Sequence, residues 1–203
     1  GHFRFMVKLN QAMTHQGASE PALIREFLAV LEPLKAVGKY DGLLAQFPWA
    51  FRPTADNLEH LRRLRESMPD EPLFVEFRHA SWTAEPIAPF LREQRLGFCA
   101  VDEPALPGLM PPVTAVTAQD AYVRFHGRNA RNWWARPDAK GQQGDRYDYE
   151  YSPAELGEWV TRVATLASQA KRTYLFFNNC HAGQAARNAA LMKELLRQQQ
   201  LPA

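Results

Sequence analysis

Several apolar stretches of strand length end in side chains that can hold or move charge. Lys8 lies near the end of Phe3-Leu9 and Gln46 near the end of Gly42-Phe47, while Glu76 and Arg78 flank the last residue of Leu73-Phe77. Asp102 and Glu103 follow Gly97-Val101, Arg124 and His126 flank the end of Ala121-Phe125, and Asn178 and Asn179 follow Thr173-Phe177. Carboxylates, guanidinium groups and an imidazole gathered out of water shift one another's pKa values, which supplies a general base, a general acid and anion-binding arginines. Side chains alternate along a strand, so Glu76 and Arg78 share one face, as do Arg124 and His126, and Val75, Phe77, Val123 and Phe125 take the other. The candidates for proton transfer are Glu76, His126 and Asp102; those for holding substrate are Lys8, Arg78, Arg124, Asn178 and Asn179. The same groups can also form mutually satisfied ion pairs that fill a sheet interior, and the two asparagines can tie down a loop.

Zinc and iron sites call for two or three His or Cys with carboxylates, and His126 is the one histidine inside this set, so no metal and no other cofactor is expected. His15 and His79 stand just beyond two of the strands. Cys99 and Cys180 form no Cys-x-x-Cys pair and read as reduced thiols.

The elements that must position these groups alternate. Between the apolar runs, Leu23, Phe27, Leu31 and Leu34 recur at helical spacing, as do Leu58, Leu61, Leu64 and Met68, and later Ala185, Ala189, Met192 and Leu196. Ser152-Pro153-Ala154-Glu155 is a capping box with proline where its missing N–H costs nothing, and it predicts a helix over 153–168. Ser19 and Thr54 mark two further helix starts, and Pro104 to Pro112 reads as a rigid connection after a strand. Strands alternating with helices predict a parallel sheet covered by helices. Six strands within 203 residues make either an open doubly wound sheet or part of a barrel, whose full form takes roughly 250 residues. The whole of 1–203 reads as a single domain.

Lys and Arg number 24 against 22 Asp and Glu, so no global field draws the chain to nucleic acid or anionic lipid, and binding must be local. No apolar run approaches the roughly 20 residues of a membrane span, and the start lacks the plan of a secretion signal, so a soluble cytoplasmic protein is expected. The connection from Gly127 to Tyr151 is longer than structureless loops usually are and holds Trp133, Trp134, Tyr147, Tyr149 and Tyr151. Its five basic residues (Arg128, Arg131, Arg136, Lys140, Arg146) against four acids (Asp138, Asp145, Asp148, Glu150) leave +1, which is weak for a groove that tracks phosphates. Trp133 and Tyr149 are candidates for contact with a substrate ring, in a flap over the strand ends beside His126; self-packing of the same rings is the competing outcome.

Phe3-Arg4-Phe5-Met6-Val7-Lys8 with Thr14-His15, then Val75-Glu76-Phe77-Arg78-His79 with Ser81-Trp82, resembles the YecE-like family, known as domain of unknown function 72. Tyr122 to Gly127, Tyr147-Asp148-Tyr149 with Tyr151-Ser152, and Phe177-Asn178-Asn179 with Gly183 follow in that family's order, over essentially the whole chain. The resemblance implies a (β/α)8 TIM-barrel-like fold in which Phe3-Leu9 is the third strand and two β/α units come before it. It brings no substrate. In such barrels active groups lie at the C-terminal ends of strands, and the apolar residues suit the helix-covered outside, so the charged residues are expected to point into the mouth. The leading reading is a hydrolase or lyase acting on an anionic or polyhydroxylated small substrate. A barrel that binds or processes nucleic acid through the 127–151 loop and a non-catalytic ligand-binding barrel are the alternatives.

Overall fold

Parallel strands buried on both faces are written as continuous apolar runs rather than alternating ones, and this governs the centre of the sheet. In a computed structural model, which describes residues 3–17, 20–135 and 145–200, the strands are β1 (Phe5–Lys8), β2 (Tyr40–Gln46), β3 (Leu73–Glu76), β4 (Gly97–Asp102), β5 (Ala121–Phe125) and β6 (Thr173–Phe177). The helices are α1 (Gln11–His15), α2 (Pro21–Ala29), α3 (Glu32–Ala36), α4 (Ala55–Ser67), α5 (Ile87–Glu93), α6 (Pro153–Gln169) and α7 (Gln184–Gln198). Every residue of β3 and β4 is buried, whereas β1 and β6, at the two sides of the sheet, are mostly half-buried or exposed. The six strands form one sheet in chain order, and each neighbouring pair is parallel.

The sheet is curled. Neighbouring strands stand about 4.8 Å apart, so β2 and β5 in a flat sheet would be separated by roughly 14 Å. Instead Arg124 of β5 reaches Gln46 of β2 at 3.2 Å. On its concave face a layer of rings, Phe74 against Tyr122 at 5.1 Å and Tyr122 stacked on Phe176 at 4.9 Å, fills the interior below the polar strand ends. Gly97 makes room for that layer, since a Cβ there would lie 2.4 Å from the Phe74 ring. On the convex face Phe77 stacks on Trp82 at 3.8 Å, and Phe125 meets Trp159 of α6 at 5.2 Å. The architecture is α/β with six parallel strands in a half-barrel sheet, the layered interior being that of a TIM-barrel-like fold.

Local signals placed most helices well. The capping box forms at α6, where Ser152 accepts from the Glu155 N–H and the Glu155 carboxylate accepts from the Ser152 N–H at 2.8 Å. Thr54 caps α4 by accepting from the Asn57 N–H. Ser19 lies outside the described residues; α2 opens on Pro21 after Glu20, whose side chain makes no cap hydrogen bond. The stripe of Leu23, Phe27, Leu31 and Leu34 is not one helix, because α2 stops at Ala29 and α3 restarts at Glu32. Pro33 is the reason: it has no N–H to continue an i to i−4 ladder and is tolerated in a first turn. No helix among the described residues is long and apolar enough to cross a membrane.

Candidate functional site

The curl turns a two-residue periodicity into a pocket. Glu76, Arg124 and His126 all face the concave side above the ring layer and meet there, although β3 and β5 are not neighbours in the sheet. Glu76 is fully buried and accepts from Arg78 Nη2 at 2.8 Å, from Arg124 Nη1 at 2.5 Å and from His126 Nε2 at 3.0 Å. Burial by itself would raise the Glu76 pKa, yet Arg78, His126 and Arg124 together hold it well below the usual carboxylate range. It is an anion under all ordinary conditions.

The electrostatics of His126 run the other way. Burial, reinforced by Arg78, pushes its pKa down to about 3, so the ring is neutral. Its Nε2 then carries the proton that goes to Glu76, which leaves Nδ1 to accept from the Asn178 amide at 3.2 Å. Both ring nitrogens are engaged and the side chain is wholly buried. Arg78 is pinned on its second side by Glu103 Oε2 at 3.2 Å, and Arg124 by Gln46 and by Asn178 Oδ1, each at 3.2 Å. For both arginines burial disfavours the charge, and the Glu76 carboxylate outweighs it.

Above this cluster opens a cavity of about 510 Å³, a size common for small-molecule sites. Its floor is Arg78, Arg124, Gln46 and Asn178; Lys8, the last residue of β1, and His15, the last of α1, stand on its wall. Lys8 has no hydrogen-bond or ion-pair partner among the described residues. His15 is held neutral near pH 7 by partial burial and by the nearby charge of Lys8. Trp49, Trp133, Trp134, Arg146 and Tyr147 close the other side. Among the described residues no three His, Cys, Asp or Glu side chains are arranged to hold a metal ion.

Asp102 sits out of phase with this face. Strand alternation points Glu103 inward to Arg78, while Asp102 points outward to the helices. There its carboxylate accepts from Arg128 Nε at 3.0 Å and Nη2 at 2.7 Å, from the Tyr151 hydroxyl at 2.6 Å and from Trp159 Nε1 at 2.6 Å. Its acceptor positions are occupied by groups that anchor both ends of the 127–151 connection. Gly127 is needed at that hinge: its φ is +88°, and a Cβ would lie 2.7 Å from Tyr149 Cβ. The Gly127 N–H also donates to the Tyr151 hydroxyl at 2.9 Å.

The family of unknown function described as Protein of unknown function DUF72 matches residues 1–203. The chain belongs to that family. The UPF0759 protein YunF of Bacillus subtilis is 34% identical over 206 residues, covering 96% of this chain and 73% of that protein. The crystal structure of a DUF72 family protein from Thermotoga maritima superposes with a TM-score of 0.87 at 42% identity, over 96% of this chain and 74% of the other. A second DUF72 crystal structure, from Enterococcus faecalis, gives a TM-score of 0.87 at 32% identity over the same 96% of this chain and 74% of its own.

Within this DUF72 fold the residues singled out by sequence fall into three groups. Lys8, Arg78, Arg124, Asn178 and Trp133 line the cavity, and Glu76 and His126 lie directly beneath it. Asp102, Asn179 and Tyr149 are brought together elsewhere. Asn179 is fully buried and donates to the Tyr149 carbonyl at 2.8 Å and to Asn188 Oδ1 at 2.7 Å. The Tyr149 hydroxyl bonds Glu155, and its ring packs on Tyr151 at 5.2 Å. The flap does cover the strand ends beside His126, but with Tyr147, 6.3 Å from the imidazole, rather than Tyr149. Trp133 is buried within it, and Arg128 and Arg146 are spent on Asp102 and on the Trp133 carbonyl. Arg136, Asp138 and Lys140 lie outside the described residues. Sequence reading passed over Trp49, although Pro48-Trp49 directly follows a strand, where barrel sites are built. Glu103 was among the strand-end residues that the sequence offered, but both alternating sets of β4 are apolar up to Val101, so nothing in the sequence said which of Asp102 and Glu103 faces the cavity.

Proposed function

We propose that the six β/α units are the third to eighth of a (β/α)8 barrel and that its mouth is the active site of a hydrolase or lyase for a small anionic substrate. The observation that carries this reading is that Arg78 and Arg124, fixed from below by a permanently ionised Glu76, both reach the cavity floor. A guanidinium held by one carboxylate still offers N–H groups to a second anion, and pre-set donors of this kind stabilise charge that develops on a substrate. Lys8 adds a mobile positive charge from the wall. His126 and Glu76 orient the arginines, while the neutral imidazole of His15, which faces the cavity, is the group able to take a proton from a bound molecule. Free thiols at Cys99 and Cys180 suit the reducing conditions of the cytoplasm.

Calorimetric titration with inorganic phosphate at low ionic strength tests the reading. Wild type should bind, and Lys8→Met should weaken binding about five- to tenfold with no change in melting temperature, because Lys8 is exposed and unpaired. No binding by wild type, or equal binding by Lys8→Met and Arg124→Gln, would refute it.

A further inference from the structure

The rim of the cavity differs in chemistry from its floor. Trp49 and Trp134 are 40% and 54% exposed, two of only eight large apolar side chains left so open among the described residues, and both belong to this cavity. They come from distant parts of the chain, the loop after β2 and the flap, and meet edge to face at 5.9 Å and 81°. Trp49 is fixed in place: its indole N–H donates to the Gly108 carbonyl at 3.3 Å, Arg52 lies over its ring at 4.1 Å, and His79 abuts it at 5.2 Å. Trp134 has no other ring partner and no hydrogen bond among the described residues. Among the described residues its flat face and its N–H are therefore free, at the mouth of a polar cavity, where leaving an indole in water forfeits the burial that large rings normally provide.

Four cations, Lys8, Arg78, Arg124 and Arg146, face the carboxylates of Glu76 and Glu103 around the floor and wall, which leaves an excess of two positive charges. The Glu103 carboxyl itself is enclosed behind Arg78, and burial raises its pKa to about 7, so near neutrality part of its negative charge is absent and the excess is larger still. A phosphate monoester brings close to two negative charges at pH 7. Between floor and rim, the Gln46 amide accepts from Arg124 through its oxygen and has its NH2 group unspent. A cationic floor, a free amide donor and an aromatic rim form one continuous wall.

The geometry points to a phosphate monoester carried on a ring, a sugar phosphate or a nucleoside monophosphate, as the ligand class: phosphate on Arg78, Arg124 and Lys8, and the ring against Trp134 beside Trp49. This inference rests on the anion-binding reading and adds the ring to it. Stacking on an exposed aromatic face is tolerant of which ring is offered, so the site chemistry is shared between the two sources.

The test is a set of parallel titrations of the full chain with inorganic phosphate, methyl phosphate, glucose 6-phosphate and AMP, read by calorimetry and by tryptophan fluorescence. Glucose 6-phosphate or AMP should bind at least about tenfold more tightly than methyl phosphate and quench fluorescence, and the better of the two identifies the ring. Trp134→Ala should abolish that advantage and most of the quench, leave inorganic phosphate binding within about twofold of wild type, and keep the melting temperature. If all four phosphates bind alike, or if Trp134→Ala retains the ring preference, the inference is overturned while the anion site stands. If inorganic phosphate does not bind at all, the anion reading falls and this inference with it.

Discussion

Removing the charge of Glu76 should unhinge the floor of the cavity. In Glu76→Gln the side chain keeps its shape, but an amide NH2 must face one of three groups that donate to the carboxylate, Arg78, Arg124 or His126. Both arginine side chains are largely buried, at 10% and 13% exposure, so they cannot turn to water for compensation. Breaking a buried ion pair from one side costs about 3–5 kcal/mol. For a domain of this length that corresponds to a fall in Tm of roughly 6–20 °C. The pH dependence carries its own signature. The folded pKa of Glu76 lies well below its ordinary 4.5, so the stabilisation is complete above about 4.5 and is lost as pH falls through the lower folded value. The deficit of Glu76→Gln should be full at pH 7 and shrink as pH drops below about 4.5. Urea unfolding of both proteins at pH 7.5 and pH 3.5 measures this directly. A variant within about 1 kcal/mol of wild type at pH 7.5, or a deficit that does not change with pH, would show that Glu76 is not what holds the arginines.

Gly127→Ala forces a Cβ both into a left-handed backbone and to 2.7 Å from Tyr149 Cβ, so a loss of at least about 2 kcal/mol is expected by denaturant titration, with faster proteolysis between 127 and 151. Glu103 is an acid with a raised folded pKa of about 7, so the folded state binds the extra proton and the contribution of Glu103 to stability should decline as pH rises from 4.5 to 7. Neutral His126, with its folded pKa near 3, gives both proteins a rise in stability over much of the same window, so wild type should lose on the order of 3 kcal/mol relative to Glu103→Gln between pH 4.5 and 7; parallel slopes for the two proteins would refute the assignment.

The sequence by itself determined the strand and helix order, the capped start of α6 and the pairing of Glu76 with Arg78 and of Arg124 with His126 on one strand face, because these depend on periodicities of two or four residues within a single element. It also marked the 127–151 connection as a flap. Tertiary structure decided the rest. Asp102 and Glu103 are adjacent letters at the end of a strand apolar on both faces, and only the register of β4 against its neighbours sends one to the helices and the other to Arg78. Asn178 and Asn179 are as alike in sequence as two residues can be, yet strand alternation gives the first to Arg124 and His126 and the second to Tyr149 and Asn188. Pro33 split a helix that its leucine spacing extended, since a missing N–H overrides an apolar stripe. The curl of the sheet brought Gln46 within reach of Arg124, and chain folding set Trp49 against Trp134, because long-range contacts follow from how the whole sheet closes and leave no local pattern to read.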